Sequence, residues 1–145
     1  LEKGDIYPFT KIMKEFNHNQ LSVMVTHIKY PAYDAENPAS ISNKIVTDLL
    51  RNQLGFQGII ITDDLEMGAV SKYVAYVDVG VKALQAGVDV LLVCHTKEHQ
   101  VEVYNGIIKA VNNNLLTEER INESVKRVLL AKLQNAEMLK LKQSQ

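Results

Sequence analysis

Gly58-Ile59-Ile60-Ile61-Thr62-Asp63-Asp64-Leu65-Glu66-Met67 is the stretch around which the chain is organised. Ile59 to Thr62 are all β-branched, and such side chains favour an extended backbone. The run is apolar in consecutive positions, as in a parallel strand covered on both faces. It stops at two adjacent carboxylates, Asp63 and Asp64. In folds built from parallel strands and crossover helices, chemistry collects at the C-terminal strand ends. A buried strand thus delivers two acids to the mouth of a site. The plain structural reading is that one of them only caps the next helix or is solvated.

Outward from this stretch, strands alternate with helices. On the N-terminal side, Ile6, Phe9, Ile12, Met13 and Phe16 form a helical stripe, with Pro8 in its first turn. Leu21 to Ile28 is a strand by its β-branched content, and Lys29 to Ile41, with Pro31 and Pro38, is a long loop. Ser42 is placed to cap a helix that Gly55 closes. On the C-terminal side, Val74, Val77, Val81 and Leu84 mark the apolar side of a helix ended by Gly87. Val88 to Val93 is a third buried strand. The helix over 97–113 turns Val101, Tyr104, Ile107, Ile108 and Val111 inward. A last helix starts at Thr117 and runs to about Gln134, beyond which the Lys- and Gln-rich tail is expected to fray. The order α-β-α-β-α-β-α-α implies a parallel sheet with helices packed on it. Because a complete eight-stranded barrel takes ~250 residues, the pattern fits either a small doubly wound domain or a piece of a barrel.

Composition narrows the function. The chain has 145 residues, 46% apolar and 23% charged, an ordinary globular balance. A formal net charge of -1 argues against a nucleic-acid partner, which needs a basic face. No apolar run approaches the ~20 residues of a membrane span. No signal peptide is visible, which points to the cytoplasm; the first residue is Leu rather than Met, so the natural start and the compartment stay open. The single cysteine, Cys94, follows Val90-Leu91-Leu92-Val93 and is expected to be a buried, inert thiol. His18, His95 and His99 are expected to face solvent, with no metal-ligand spacing among them. No cofactor is indicated.

Beyond these physical readings, Leu54-Gly55-Phe56-Gln57-Gly58 running into Thr62-Asp63-Asp64-Leu65-Glu66-Met67 resembles glycoside hydrolase family 3, and within it the β-N-acetylhexosaminidase branch. That family carries L-G-F-x-G-[VI]-[VI]-x-[ST]-D-D-L-x-M at its seventh barrel strand. Asp5-Ile6-Tyr7-Pro8-Phe9 is similar to its E/D-L-x-P-F helix start. Val23 to Ile28 followed by Tyr30-Pro31-Ala32-Tyr33-Asp34 is similar to its sixth strand. Pro38-Ala39-Ser40-Ile41-Ser42 and Ile121 to Leu129 agree with a loop and the final helix.

The resemblance implies the C-terminal portion of a (β/α)8 TIM-like barrel: three parallel strands with flanking helices, residues 1–145 forming one partial domain. It implies a retaining glycosidase that removes β-linked N-acetylglucosamine from a glycan or a peptidoglycan fragment. Asp63 falls at the nucleophile's position. Asp64, its neighbour in an extended backbone, points to the other face and is expected to orient loop backbone or cap the following turn. His27 ends another strand at the same rim, where it either touches the sugar, positions Asp63, or is only a hydrogen-bonded structural histidine. Met67 lines the sugar site as an apolar wall or packs in the core; Tyr30 and Asp34 are candidates for the rim. Nothing in the resemblance makes Glu66 an acid.

One departure is large. The branch's acid/base histidine sits in a segment like K-H-F-P-G-H-G-D, and no such segment occurs in this chain. Proton transfer is typically worth ~10²–10⁴-fold, so the chain alone is expected to be inactive or nearly so. Three strands from an open barrel also leave two unpaired edges, which invite a partner: the N-terminal half-barrel or a second copy. Two other readings compete. One is a non-catalytic half-barrel interaction module. The other is a receiver-like domain that would phosphorylate Asp63 with Mg²⁺; it lacks the Lys such a site needs at the end of the third strand.

Overall fold

The computed structural model describes residues 4–143. The elements run α1 (Tyr7–Glu15), a 3₁₀ turn (His18–Gln20), β1 (Ser22–Val25), a second 3₁₀ turn (Ala39–Ile41), a π-helix (Lys44–Gln53), β2 (Ile59–Asp64), α2 (Gly68–Ser71), α3 (Tyr76–Ala86), β3 (Val90–Leu92), α4 (Lys97–Asn112) and α5 (Glu118–Gln143). The strands form one parallel sheet in the order β1-β2-β3. This is the expected alternation of strand and crossover helix.

Packing sorts the two faces of the sheet. Val25 pairs with Thr62 and Val23 with Ile60; Val25, Ile60 and Thr62 are buried. This face packs under the helices with Val46, Leu50, Phe56, Val79 and Ala83. The alternate positions are more open. Met24, paired with Ile61, is 52% exposed, and Ile59, Ile61 and Asp63 are half-buried. Because side chains alternate along a strand, Asp63 belongs with Ile59 and Ile61 on the open face.

β2 and β3 do not keep step to the end. Ile61 pairs with Val90, and the next pairing is Asp64 with Leu92. Two residues of β2, Thr62 and Asp63, therefore stand opposite the single Leu91. This is a β-bulge at the C-terminal end of the central strand, a device that re-aims side chains and occurs beside active sites.

Several helix faces differ from the apolar stripes. In α4 the buried residues are Val103, Gly106 and Ala110, while Val101, Tyr104 and Ile108 are exposed. The reason is the close approach of α3: a Cβ on Gly106 would lie 1.9 Å from the Val77 carbonyl oxygen. Small residues set that contact, and a hydrophobicity pattern gives them little weight. For the same reason α3 buries Val79, Gly80, Ala83, Leu84 and Ala86, with Val77 exposed. In α1 only Met13 is buried; Phe9, Ile12 and Phe16 are exposed. Of these, Phe9 lines a mostly apolar cleft of about 590 Å³ beside β1, together with Met13, Met24, Tyr30 and Leu54. The last helix does not end at Gln134 but continues to Gln143. The segment holds no Gly or Pro to stop it.

The segment over 44–53 is wound as a π-helix. At its end the Leu54 amide donates to the Leu49 carbonyl five residues back. Leu49, Leu50 and Arg51 are consecutive buried residues, and Arg51 reaches across to Asp89. Gly87 ends α3 with φ +112, and a Cβ there would lie 2.5 Å from Thr47 Oγ1. Both facts favour glycine.

Candidate active site

Three strand ends converge, and their loops are tied together by side chains. At the centre, the Asp63 Oδ1 accepts the Asp64 amide at 2.8 Å. The Asp64 carboxylate faces β3: Oδ1 accepts the amides of Glu66 and Cys94, each at 3.2 Å. Its Oδ2 lies 3.1 Å from His95 Nε2. Asp64 thus orients loop backbone on both sides of itself.

His27 approaches from β1. It is 6% exposed, its Nε2 lies 2.8 Å from the Asp64 carbonyl oxygen, and its Nδ1 lies 2.7 Å from Ser40 Oγ. A carbonyl oxygen can only accept, so Nε2 carries a hydrogen and donates. Both ring nitrogens are therefore occupied within the protein. With both nitrogens engaged inside the protein, the arrangement fits the positioning reading and the structural reading of His27 alike. Ser40, fully buried in the loop after β1, carries no chemical signature in the sequence that would single it out.

Glu66 forms a second clamp. Its carboxylate accepts the backbone amides of His95 and Thr96 and pairs with His99 Nδ1 at 2.7 Å. Burial raises its pKa, but the His99 contact and the Thr96 and His95 hydrogen bonds outweigh it and bring the carboxyl down to about 2. The His99 ring stacks on Tyr76 with centroids 3.8 Å apart. Glu66 is a loop anchor that joins β2 to the start of α4. Sequence reasoning missed this because its partners lie about thirty residues away.

Other expectations are corrected by the packing. His99 is held by Glu66 rather than solvated. His18 is half-buried: Nε2 lies 2.6 Å from the Met13 carbonyl oxygen, and Nδ1 accepts the Gln57 amide. Only His95 faces solvent among the three. Cys94 is exposed, because β3 ends at Leu92 and the thiol stands past it on the rim. Local desolvation and the carboxylates of Asp64, Glu66 and Asp63 push that thiol's pKa up. Met67 is 45% exposed at the rim, so it is not a core residue. Asp34 is turned inward, accepting from Ser42 Oγ at 2.7 Å and from the amides of Glu36 and Asn37. The Ser42 hydrogen bond leads the causes that hold its carboxyl well below the usual range. Asp34 organises the loop; Tyr30, 45% exposed, remains at its surface. The large cleft beside β1 is lined by neither Asp63 nor Asp64. Among the described residues no His, Cys, Asp and Glu cluster is arranged to hold a metal ion, and no helix is long and apolar enough to cross a membrane.

A paired-acid bulge at the end of a central parallel strand, with a family model matching residues 1–131 as "Glycosyl hydrolase family 3 N terminal domain", decides the family. The chain belongs to glycosyl hydrolase family 3. It is 36% identical over 107 residues to a beta-hexosaminidase of Nitrosomonas eutropha, an overlap of 74% of this chain and 30% of that protein. It is 36% identical over 118 residues to a beta-hexosaminidase of Haemophilus influenzae, covering 81% of this chain and 30% of the relative. A family 3 β-N-acetylglucosaminidase from a Paenibacillus species superposes with a TM-score of 0.86 at 35% identity, covering 90% of this chain and 24% of that one. A β-N-acetylglucosaminidase from Thermotoga maritima gives 0.81 at 28% identity, with 89% and 28% covered. The chain therefore spans less than a third of the length of these relatives. Its three parallel strands and flanking helices are a segment of the family's TIM-like barrel.

Proposed function

We propose that this chain carries the nucleophile of a retaining β-N-acetylglucosaminidase and forms the C-terminal portion of its catalytic barrel. The supporting observation is the setting of Asp63. It is the penultimate residue of the central strand, on the open face of the sheet, half-buried, at a bulge. In this reading Asp63 attacks the anomeric carbon and forms a glycosyl ester. A second group protonates the leaving oxygen and then activates the water that hydrolyses the ester. That acid/base group is not among this chain's residues and comes from another part of the barrel. Asp64 holds the loops around the nucleophile, and Met67 provides an apolar wall at the rim. The substrate is a β-linked N-acetylglucosaminide, such as a peptidoglycan fragment released during wall recycling.

β1 pairs only on its β2 side among the described residues, and the apolar cleft lies beside it. This is where the preceding half of the barrel would pack. The test is complementation with the N-terminal half-barrel of a relative, assayed on an aryl β-N-acetylglucosaminide. A fluorinated N-acetylglucosaminide that slows ester breakdown then labels the nucleophile, and peptide mass spectrometry locates it. The expected label is on Asp63. A label on any other residue, or hydrolysis by Asp63→Ala at the wild-type rate, would sink the assignment.

A further inference from the structure

We infer that His27 is a positioning residue for Asp63, acting through the carbonyl of Asp64; this rests on the reading of Asp63 as nucleophile. The geometry is a chain of contacts across two strand ends. Ser40 is fully buried, its amide bonded to the Thr26 carbonyl at 3.1 Å. Its Oγ meets His27 Nδ1 at 2.7 Å, and His27 Nε2 donates to the Asp64 carbonyl at 2.8 Å. The residues bonded at the far end are 37 apart in sequence.

The place where this chain ends gives it its role. An ordinary strand end is held by the sheet's own ladder. Here the ladder to β3 is interrupted between Ile61 and Asp64, in the segment that bears Asp63. The ladder resumes where the Leu65 amide meets the Leu92 carbonyl at 2.9 Å, and three side chains hold the segment before it. Thr62 Oγ1 accepts the Leu92 amide at 3.0 Å. Asp63 Oδ1 accepts the Asp64 amide. His27 holds the Asp64 carbonyl from the β1 side. The Asp63–Asp64 peptide has its following carbonyl and its own amide both bound by side chains, so the orientation of the Asp63 carboxylate depends on His27 staying in place. A nucleophile works only when held in line with the reacting carbon, and a misplacement of about 1 Å can cost about 10²-fold.

The role differs from sugar binding in what it moves. His27→Phe removes the donor and keeps a ring, whereas His27→Gln retains an amide N–H able to reach the Asp64 carbonyl. In the full chain complemented by the N-terminal half-barrel, His27→Phe is expected to lower kcat and the rate of labelling at Asp63 by about 10²-fold, with KM unchanged. His27→Gln is expected to recover most of that loss. Ser40→Ala, which frees Nδ1 and leaves the donor in place, is expected to fall between wild type and His27→Phe. It also carries the test should the phenylalanine variant not fold. A rise in KM with kcat intact would instead put His27 on the sugar and overturn the inference. So would Phe, Gln and Ala variants that all label at the wild-type rate, with Asp63 still the labelled residue. A wild-type chain labelled elsewhere than Asp63 overturns the reading beneath it, a result distinct from both.

Discussion

Thr62 Oγ1 accepts the backbone amide of Leu92 at 3.0 Å, on the strand segment where β2 carries one residue more than β3. A side-chain oxygen thus takes the place of a ladder carbonyl and allows the central strand to bulge without orphaning the neighbouring amide. Thr62 itself is fully buried. Thr62→Val keeps the shape and removes the acceptor, and it should cost about 1–3 kcal/mol, the usual penalty for an unsatisfied buried donor. Thr62→Ser should recover most of it. Urea melts of the three proteins check this; a valine variant as stable as wild type would mean that Leu92 finds another acceptor.

The buried Asp89 holds the opposite end of the sheet. Its carboxylate meets Arg51, Arg127 and, at 3.7 Å, Arg120, and it also accepts the Ile60 amide and the Ser124 hydroxyl. Burial pulls the Arg51 pKa down to about 10, against the opposing pull of Asp89. Asp89→Asn strands these guanidinium groups without their counter-charge. Breaking a buried pair in this way costs roughly 3–5 kcal/mol. Thermal unfolding followed by circular dichroism should show a large loss of Tm.

The contact of α3 with α4 depends on a missing side chain. A Cβ at Gly106 would lie 1.9 Å from the Val77 carbonyl oxygen, which is backbone and has little room to yield. Gly106→Ala should therefore destabilise by about 1–3 kcal/mol, the cost of overpacking, although alanine is the better helix former. A stabilised Gly106→Ala would show that the two helices can separate freely.

Glu66 makes stability depend on pH. Its carboxyl is lowered from 4.5 to about 2, so the folded state favours the charged form. The resulting stabilisation is complete above about 4.5 and is lost as pH falls toward 2. The Tm difference between wild type and Glu66→Gln is therefore expected to be widest near neutrality and to narrow in that acid window. A difference that stays constant with pH would place the effect in packing rather than charge.

Cys94 is exposed, yet local desolvation and three neighbouring carboxylates raise its pKa. The thiolate is the reactive form, so Cys94 should react with a maleimide or disulfide reagent more slowly at neutral pH than a free cysteine does. Asp64→Asn should speed the reaction by removing one of the charges. Equal rates would show that the carboxylates are screened from the thiol.

Much of the fold was legible because it is local. The β-branched run at Ile59–Thr62, the glycine at 87 and the alternation of strand with helix are properties of short windows, and they placed the sheet and its crossovers. Strand lengths and helix faces were less legible. Val88 and Val93 flank a strand of only three residues, and the buried side of α4 turns on Gly106, which carries no hydrophobic signal. The motif around Asp63 pointed to the family and to the rim where the acids sit.

The sequence by itself determined the class of fold, the family and the position of Asp63 at a strand end, since each rests on residues adjacent in the chain. Only the tertiary structure decided what surrounds that acid: the bulge, the grip of His27 on the Asp64 carbonyl, and the Glu66 clamp on the start of α4. Those contacts join residues 28 to 37 positions apart. Whether such partners meet is set by strand register and helix packing, and no short window of sequence contains either.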